Sequence, residues 1–379
     1  MFINPICSGI TQWIMMSVFQ LGAKMTTNPS IWPAKEPKNI LIRMPNWLGD
    51  LVMATPIIHD IRQKWPQASI TAMCQAHVGT LLECDPNLNE VYRFEKPSGW
   101  LHRSQHLDIV DTLRRGEYDL GILLPNSFSS AWWFWRGHVA NRIGFACNCR
   151  SLLLNKAVPF PQNKEKQHLV LTYKALLEPM GISVSSTPPV LYVSNGEKIA
   201  AQHLLKSNGC DIHSQILIGI NPGAAFGSAK CWLPDRFRAV TEKLLQDPRL
   251  MVAFFGDAAG APLVNEICYG FNSRVINFAG KTTIRELMAL IESCSVLLTN
   301  DSGPMHIAAA LKVPLVALFG STSDVRTGPY GERNVIHKHV ECSPCYKRIC
   351  PIDFRCMKRI EVEEVYQAIL RKIPSQLSD

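Results

Sequence analysis

Two phosphate-binding motifs are missing from this sequence of 379 residues. It contains no Gly-x-x-x-x-Gly-Lys-Ser/Thr and no Gly-x-Gly-x-x-Gly. Their absence argues against a P-loop nucleoside triphosphatase and against an ordinary nicotinamide-dependent enzyme. Low-complexity segments are missing too, because prolines and aromatic residues are spread along the chain. With 47% hydrophobic and only 18% charged residues, the composition is typical of a globular protein with an ample core.

The sequence also lacks an apolar run that would make a convincing membrane span or signal peptide. Residues 1–23 are apolar overall, but Gln12 and Gln20 interrupt them and no positive charge precedes Lys24. We therefore expect residues 1–36 to be an extension outside the fold, which either touches a membrane or is a start-site artefact. Most of the thirteen cysteines stand singly in apolar segments. This usage is typical of a reducing compartment and predicts a cytoplasmic protein.

Basic residues outnumber acidic ones and give the chain a formal net charge of +8. Such a balance suits an anionic partner, namely a phosphorylated substrate, acidic lipid head groups or nucleic acid. The basic residues are not gathered into one arm, and no familiar nucleic-acid-binding motif occurs. Nucleic acid is therefore the least favoured partner.

Short apolar runs alternate with helical patterns from Asn39 onward, which predicts βαβ units and parallel strands. The alternation weakens between about 145 and 195, where Pro, Ser and Asn interrupt it, and then restarts. The sequence thus predicts an α/β protein with two doubly wound, Rossmann-like parallel-sheet domains that face a cleft. The expected divisions are an extension at 1–36, a first domain at 37–190, a second domain at 191–358, and a final helical segment at 359–379 that could pack back onto the first domain.

The loops that follow strands are the candidate site, because ligands of such sheets bind beyond the carboxyl ends of the strands. Asp50 follows the first predicted strand and lies in the first turn of the next helix. One interpretation is a carboxylate that the helix dipole favours. The other is a general base, with Gly49 leaving its approach open to a bulky substrate.

A glycine-containing loop with one lysine follows the first predicted strand of the second domain. Gly223 and Gly227 permit a ligand to approach the backbone closely, and Lys230 supplies a cation. Amides, small residues and one positive charge are what a diphosphate requires. The alternative is an ordinary polar loop with a surface lysine.

The stretch TNDSGPMHIAAAL (299–311) places a carboxylate, a hydroxyl, a glycine and an imidazole around a helix start. One interpretation is simple capping by Ser302, with nothing bound. The other is that Asp301, Ser302 and Gly303 form a turn whose amides hold the same diphosphate that Lys230 reaches. A single histidine on an alanine-rich helix is more often a core residue, so a direct role of His306 is the less favoured interpretation.

Several of these segments together resemble one family. They are PNWLGDLVMATP (45–56), LLPNSFSSAWW (123–133), NPGAAFGSAKCWLP (221–234), NFAGKTTIRELMALI (277–291), TNDSGPMHIAAAL (299–311) and PLVALFGST (314–322). In combination they are similar to motifs of the bacterial ADP-heptose:lipopolysaccharide heptosyltransferases, over about residues 39–372. Within that family the chain looks most like the heptosyltransferase II group.

The resemblance implies a GT-B architecture with the active site between two Rossmann-like domains. It implies that ADP-L-glycero-D-manno-heptose binds mainly to the second domain and that the lipid A-linked inner core, the acceptor, faces the first. It also implies an inverting reaction without metal or cofactor, at the cytoplasmic face of the inner membrane. The alternative within the family is another heptose acceptor or another nucleotide-sugar donor.

Roles are implied residue by residue. By this resemblance Asp50 matches the general base, and Lys230 matches a lysine that contacts the donor phosphates. The donor-binding turn comprises Asp301, Ser302, Gly303 and His306, with Gly223 and Gly227 in the neighbouring loop. Family members often carry a glutamate for the ribose after strand 250–255, and here Asp257 is the possible substitute.

Residues that could bind the acceptor lie in or after loops of the first domain. Asn126, Ser127 and Arg142 are the candidates, together with Arg136 and Arg150, because guanidinium groups suit carboxylates and phosphates. The alternative for each arginine is a solvated surface position. The aromatic run WWFW (132–135) cannot face inward at every position of one helix, so some of these rings could lie against sugar or membrane.

Four cysteines lie within fifteen residues near the end of the chain: Cys342, Cys345, Cys350 and Cys356. Four thiolates could hold a structural zinc ion. However, the spacing is closer than in ordinary zinc ribbons, and reduced cysteines in a packed loop, or a disulfide formed on purification, are the alternatives. We expect no metal in the active protein.

Two further hypotheses compete with the heptosyltransferase. One is a related GT-B transferase or a nucleotide-sugar epimerase that uses another donor. The other is a non-catalytic scaffold at the inner membrane, which retains the fold without turnover. The presence of both Asp50 and Lys230 argues against the scaffold.

Overall fold

The structure is a computed structural model that describes residues 32–97, 103–331 and 334–373. Most of the predicted extension, residues 1–31, lies outside the described residues. Within the described ranges, no helix is both long and apolar enough to cross a membrane.

The first domain is built on a six-stranded parallel sheet with the order β3-β2-β1-β4-β5-β6. The strands are β1 (Asn39–Arg43), β2 (Ser69–Gln75), β3 (Glu90–Phe94), β4 (Leu120–Leu123), β5 (Asn141–Phe145) and β6 (Lys156–Val158). Ile40 of β1 pairs with Ile70 on one side and with Leu120 on the other. The strand order therefore reverses between β1 and β4, as in dinucleotide-binding folds.

The second sheet repeats this arrangement, with the order β12-β11-β10-β7-β8-β9. Its strands are β7 (Ile216–Asn221), β8 (Leu250–Phe254), β9 (Val275–Asn277), β10 (Val296–Asn300), β11 (Leu315–Phe319) and β12 (Val335–His337). Here the order reverses between β7 and β10. Each domain thus has one reversal point, and it is there that such sheets bind ligands.

Helices connect the strands on both faces of each sheet. They are α1 (Leu48–Lys64), α2 (Ala76–Gly79), α3 (Arg103–Arg115), α4 (Phe128–Arg136), α5 (Leu169–Ala175), α6 (Asn195–Ser207), α7 (Pro234–Leu244), α8 (Ala261–Cys268), α9 (Ile284–Glu292), α10 (Gly303–Ala310), α11 (Asp324–Thr327), α12 (Arg355–Lys358) and α13 (Val362–Leu370). Capping boxes fix the starts of α6 and α9. The hydroxyls of Ser194 and Thr283 accept the backbone N–H of the third helical residue, a glutamate, whose carboxylate accepts the backbone N–H of the capping residue.

One apolar core runs through both domains. Ile40 and Ile42 of β1 share a buried cluster with Leu217 of β7. The intervening Leu41 belongs to a cluster on the other face of the first sheet, and Ile218 to one on the other face of the second. Successive residues of these strands therefore serve opposite faces. This confirms the prediction of two doubly wound domains.

The last helix, α13, packs on the second domain. Its Val365 and Ile369 are buried in the same cluster as Phe237 and Val240 of α7. The structure thus corrects the expectation that the final segment packs back onto the first domain. The apolar stripe of α13 is covered by the domain that precedes it in the chain.

Candidate active site

The two reversal points face each other across the cleft between the domains. The segment leading to Asp50 follows β1, and Asn126 follows β4, so both come from the reversal point of the first sheet. Lys230 follows β7 and Asp301 follows β10, at the reversal point of the second. The topology thus brings together residues about 250 positions apart in the sequence, which is where ligand binding is expected.

Helices α1 and α10 pack against each other at the domain interface, with their first turns in contact. A Cβ atom added to Gly49 would lie 2.7 Å from Cδ2 of His306, and one added to Gly303 would lie 2.6 Å from Cδ2 of Leu48. Both glycines therefore permit one domain to approach the other. This corrects the idea that Gly49 keeps open a path to substrate, because its free side faces the His306 ring.

His306 is buried in this interface and uncharged at neutral pH. Burial lowers the pKa of its imidazole to about 4, against the opposing influence of Asp301, while His168 and Lys230 lower it further. A neutral ring packed on Gly49 fits the interpretation of His306 as a packing residue. Its contact with the donor stays a prediction.

Asp50 is half-buried at the start of α1 and is poised to accept a proton. Among the described residues, no donor lies within hydrogen-bond distance of its carboxylate, and α1 has no side-chain cap. Burial raises the pKa of Asp50 to about 6; Lys230 and Arg326 oppose that rise, and Asp301 adds to it. A carboxylate without a partner and with a raised pKa is suited to general base catalysis.

Asp50 faces a cavity of about 340 Å³. Most of its wall comes from the first domain, including Asn126 and Tyr173. Lys164 and Arg326 add two positive charges, and Arg326 comes from the second domain. A cavity of this size with cations at its wall suits an anionic ligand.

Two buried arginines support this cavity from beneath. Arg43 donates to Asn46 Oδ1 and to backbone carbonyls, and Arg150 donates to Asn126 Oδ1 at 3.2 Å. Within the described residues neither guanidinium has a carboxylate partner. Their charges are therefore not neutralised locally and favour an anion above them. Sequence reasoning did not consider Arg43, and it treated Arg150 as a residue that touches the ligand rather than one that orients Asn126.

Two of the predicted acceptor residues are used elsewhere. Ser127 caps α4, accepting the backbone N–H of Ser130 at 3.3 Å. Arg142 donates to the carbonyl oxygens of Leu153 at 2.7 Å and Val139 at 2.5 Å. Neither lines the cavity described above. Of the three predicted acceptor residues, only Asn126 is part of its wall.

On the second domain, Lys230 and Asp301 form a close ion pair. The Lys230 Nζ lies 2.5 Å from Asp301 Oδ2, and the lysine side chain is only 14% exposed. Asp301 Oδ2 also accepts a hydrogen bond of 2.5 Å from the Thr322 hydroxyl. A carboxylate would repel a diphosphate, so the geometry gives Asp301 the task of holding Lys230. Its direct contact with the donor stays a prediction.

The start of α10 is open, contrary to the simple capping interpretation. Ser302 occupies the N-cap position, but its side chain makes no capping hydrogen bond. Instead its hydroxyl lies 3.2 Å from Asn221 Nδ2 and 3.0 Å from Thr299 Oγ1. Within the part of the chain that the structure describes, the first backbone N–H groups of α10 have no side-chain acceptor, and they are suited to an anion.

Two buried asparagines at strand ends fix these loops. Asn221 Nδ2 also donates to the carbonyl of Gly223 at 3.1 Å. Asn300 accepts the backbone N–H of Trp232 at 3.0 Å and donates to the carbonyl of Pro222 at 2.7 Å. The sequence shows both asparagines at strand ends, but nothing there reveals which loops they join.

The glycines of the 222–230 loop differ in their surroundings. A Cβ atom on Gly223 would meet no atom of the described residues within 4 Å, so this position is open to a ligand. Gly227 has a φ of +148°, and a Cβ atom there would lie 2.4 Å from the carbonyl oxygen of Arg348. Its close neighbour is thus the protein's own backbone.

Asp257 is exposed and accepts the N–H of Gly260 at 2.7 Å, so its contact with a ribose stays a prediction.

Replacing Gly227 with alanine is expected to lower the free energy of unfolding by roughly 2–4 kcal/mol, because the backbone is strained for any other residue and the new methyl group overlaps a carbonyl. Equilibrium urea unfolding would measure the change. Gly223→Ala is the matched control, since that position is open, and we expect its stability to be close to that of the unaltered protein. Equal stability of the two variants would contradict the described packing.

The cysteine-rich loop supports the donor side. The Arg348 carbonyl of this loop accepts the N–H of Ala229 at 2.9 Å, and the Tyr346 N–H donates to the carbonyl of Ser321 at 2.8 Å. The loop therefore braces the segments after β7 and β11.

Comparison with known proteins decides the family. The sequence model of glycosyltransferase family 9 (heptosyltransferase) matches residues 107–354. The chain belongs to glycosyltransferase family 9. This family assignment confirms the prediction that the chain is a glycosyltransferase.

Individual relatives of this glycosyltransferase support the same family assignment. Lipopolysaccharide heptosyltransferase 2 of Salmonella typhimurium is 34% identical over 305 residues, which cover 78% of this chain and 86% of that protein. Lipooligosaccharide heptosyltransferase 2 of Campylobacter jejuni is 31% identical over 337 residues, covering 87% and 98%. The structure of E. coli ADP-heptose LPS heptosyltransferase II matches with a TM-score of 0.74 and 28% identity, covering 88% and 98%. The predicted likeness to heptosyltransferase II and the GT-B architecture are confirmed.

Proposed function

We propose that this glycosyltransferase moves L-glycero-D-manno-heptose from ADP-heptose to the heptosyl-Kdo2-lipid A inner core of lipopolysaccharide, with inversion and without a metal in the chemistry. The observation that carries the proposal is the placement of the Asp50 carboxylate, without a hydrogen-bond partner in the described chain, close enough to Lys230 across the cleft for their charges to interact. The names of the relatives supply the sugar, the donor and the acceptor class.

Asp50 would act as the general base. It takes the proton of the acceptor hydroxyl as that oxygen bonds to the anomeric carbon of the heptose and the bond to ADP breaks. A single displacement of this kind inverts the anomeric configuration. The base must lie on the acceptor side of the sugar, and Asp50 lines the cavity of the first domain.

The departing ADP gains negative charge, which the second domain is arranged to stabilise. Lys230 is oriented by Asp301, and the open N–H groups at the start of α10 point along the helix dipole. Gly223 leaves room for the diphosphate beside them. One cation and a helix N-terminus can perform the task that a divalent metal performs in other transferases, so we expect transfer to persist in a chelator.

The acceptor would occupy the cationic cavity. Kdo carboxylates and lipid phosphates are anions, and Lys164, Arg326 and the underlying Arg43 and Arg150 provide four positive charges. Within this proposal residues 37–190 form the acceptor domain and residues 191–358 the donor domain.

A peripheral contact with the cytoplasmic face of the inner membrane belongs to the same proposal. Trp47 lines the acceptor cavity and is 57% exposed, and Trp135 on α4 is 46% exposed. Indole rings favour the interface between lipid and water.

The test of the acceptor class is a panel of Kdo2-lipid A molecules that carry no heptose, one heptose or two. With ADP-heptose as donor and a chelator present, we expect a mass gain of one heptose only for the acceptor with one heptose already present. The anomeric configuration of the product, determined by NMR, should be opposite to that of the donor. Transfer to Kdo2-lipid A itself, or a retained configuration, would overturn the corresponding part of the proposal.

The rate should depend on pH through Asp50. Since burial raises the pKa of this base to about 6, kcat/KM should be half-maximal near pH 6 and level off at higher pH. Measurements from pH 5 to 8 would show this limb. The acceptor's own phosphates also titrate, and the residual activity of Asp50→Asn is the control for them. The pH profile of this variant should not show the fall in kcat/KM around pH 6. A profile that is flat down to pH 5 would contradict the assignment.

A further inference from the structure

A cluster of three potential metal ligands lies beside the active site, outside the residues used above. Asp324 begins α11, His337 ends β12 and His339 follows two residues later. The His337 Nδ1 lies 2.9 Å from one carboxylate oxygen of Asp324, and the His339 Nε2 lies 3.9 Å from the other. One ligand atom from each of the three residues fits within 4.8 Å of the other two.

The hydrogen bonds around His337 determine which of its nitrogens carries a proton. The Ser343 hydroxyl donates to the carbonyl of Gly320, so its single proton is already used. The same oxygen lies 2.8 Å from His337 Nε2 and must therefore accept the N–H of that nitrogen. In the neutral ring, Nδ1 then presents a lone pair to the Asp324 carboxylate at 2.9 Å. A cation between these two atoms, either a proton or a metal ion, removes the repulsion between their lone pairs.

We propose that Asp324, His337 Nδ1 and His339 Nε2 bind one zinc-type divalent ion. Ligands about 2 Å from a tetrahedral ion stand roughly 3.3 Å apart. The separations of 2.9 Å and 3.9 Å bracket that value. Imidazole and carboxylate are both ligands that zinc accepts, and the hydrogen bond from His337 Nε2 to Ser343 is the kind of outer contact that orients a metal-bound histidine.

Charge and conformation fit this assignment. Among the described residues, Asp324 has ion-pair contacts only with the two histidines, so no lysine or arginine neutralises it. His339 has a φ of +43°, which is unusual for a residue with a side chain, and its ring lies 4.0 Å from that of His337. The side chain of His339 is 66% exposed, so solvent can supply the fourth ligand and the ion can enter from that side.

The ion would stabilise structure and would perform no chemistry. It would join α11 to the end of β12, and α11 carries Arg326 into the acceptor cavity. The expectation that transfer persists in a chelator is therefore compatible with this site, and zinc binding is separate from the proposed activity. The cysteine loop is the competing place for zinc, and the experiment must distinguish sulfur ligands from nitrogen and oxygen ligands.

The experiment uses the full chain, freed of metal by a chelator and kept reduced. Zn²⁺ and Co²⁺ binding would be measured by calorimetry, and the Co²⁺ complex by its absorption spectrum. His339→Gly and Asp324→Asn remove one ligand each, and glycine accepts the left-handed backbone at position 339 without strain. His213→Ala is the matched control, because it removes an exposed histidine elsewhere. Circular dichroism would check that each variant is folded.

We expect one ion per chain, weaker binding by more than about tenfold in each ligand variant, and no change in the control. The Co²⁺ spectrum should lack thiolate-to-metal charge-transfer bands, and Zn²⁺ should raise the unfolding temperature of the unaltered chain but not of His339→Gly. Folded protein that binds no ion would overturn the proposal. Equal binding by the ligand variants, or a thiolate charge-transfer band for the bound ion, would overturn it as well and assign the ion to the cysteines.

Discussion

Replacing Asp50 with asparagine is expected to lower kcat/KM for heptose transfer by roughly 10²–10⁴-fold, which is the usual contribution of a positioned general base. Asparagine keeps the size of the side chain but cannot take a proton. The affinity for ADP should not fall, because the carboxylate lines the cavity of the first domain and its negative charge, which interacts with Lys230, does not attract the phosphates. Steady-state kinetics with ADP binding measured separately would distinguish the two effects.

The same variant should be as stable as the unaltered chain or more so at neutral pH. The folded-state pKa of about 6 exceeds the ordinary value of 3.8, so the folded protein binds this proton more tightly than the unfolded chain does. The contribution of Asp50 to stability is therefore present at low pH and declines as pH rises toward 6. Asparagine does not ionise, so the variant does not lose stability at this position as pH rises. An inactive variant with reduced stability would indicate a structural role instead of a catalytic one.

Replacing Lys230 with methionine is expected to lower kcat by about 10²–10³-fold, which is the second large effect. The lysine stabilises charge on the departing diphosphate, and methionine fills similar space without charge. The single variant also leaves Asp301 without its cation, so ADP affinity should fall because a buried carboxylate then faces the phosphates. Isothermal titration with ADP and single-turnover kinetics would separate binding from chemistry.

The double variant Lys230→Met with Asp301→Asn is the matched control for that repulsion. It removes both charges of the pair, so ADP affinity should recover relative to the single variant while the slow chemical step remains. Recovery of the chemical step as well would mean that Lys230 serves only to neutralise Asp301. That result would contradict the assignment of leaving-group stabilisation to Lys230.

The sequence predicted the α/β class and most strands, because parallel strands buried on both faces produce continuous apolar runs. β7 and β10 are examples, each fully buried and each followed by a polar loop. The short edge strand β12 was not predicted, since its three residues are only partly buried and carry no such run. The candidate residues after β1, β7 and β10 could be found from the sequence. Ligands of such sheets bind beyond the carboxyl ends of the strands, and the order of strands and loops along the chain shows which residues lie there.

What the sequence could not supply was the partner of each side chain. Asp301 looked like a donor ligand, and only the structure places its carboxylate 2.5 Å from the Lys230 ammonium. Arg43 looked like an ordinary strand residue, although it supports Asn46 beneath the cavity. Gly227 looked like an opening for a ligand, while its close neighbour is the backbone at Arg348, more than a hundred residues away. Contacts of this range leave no local pattern in the sequence.

The measurement that tests the central claim most directly is the mass of the acceptor after incubation with ADP-heptose and either the unaltered chain or Asp50→Asn. We predict a gain of one heptose with the unaltered chain and, over the same time, almost none with the variant, although both bind ADP. Equal transfer by the two proteins would contradict the role of Asp50. No transfer by folded, ADP-binding protein would contradict the proposed donor and acceptor.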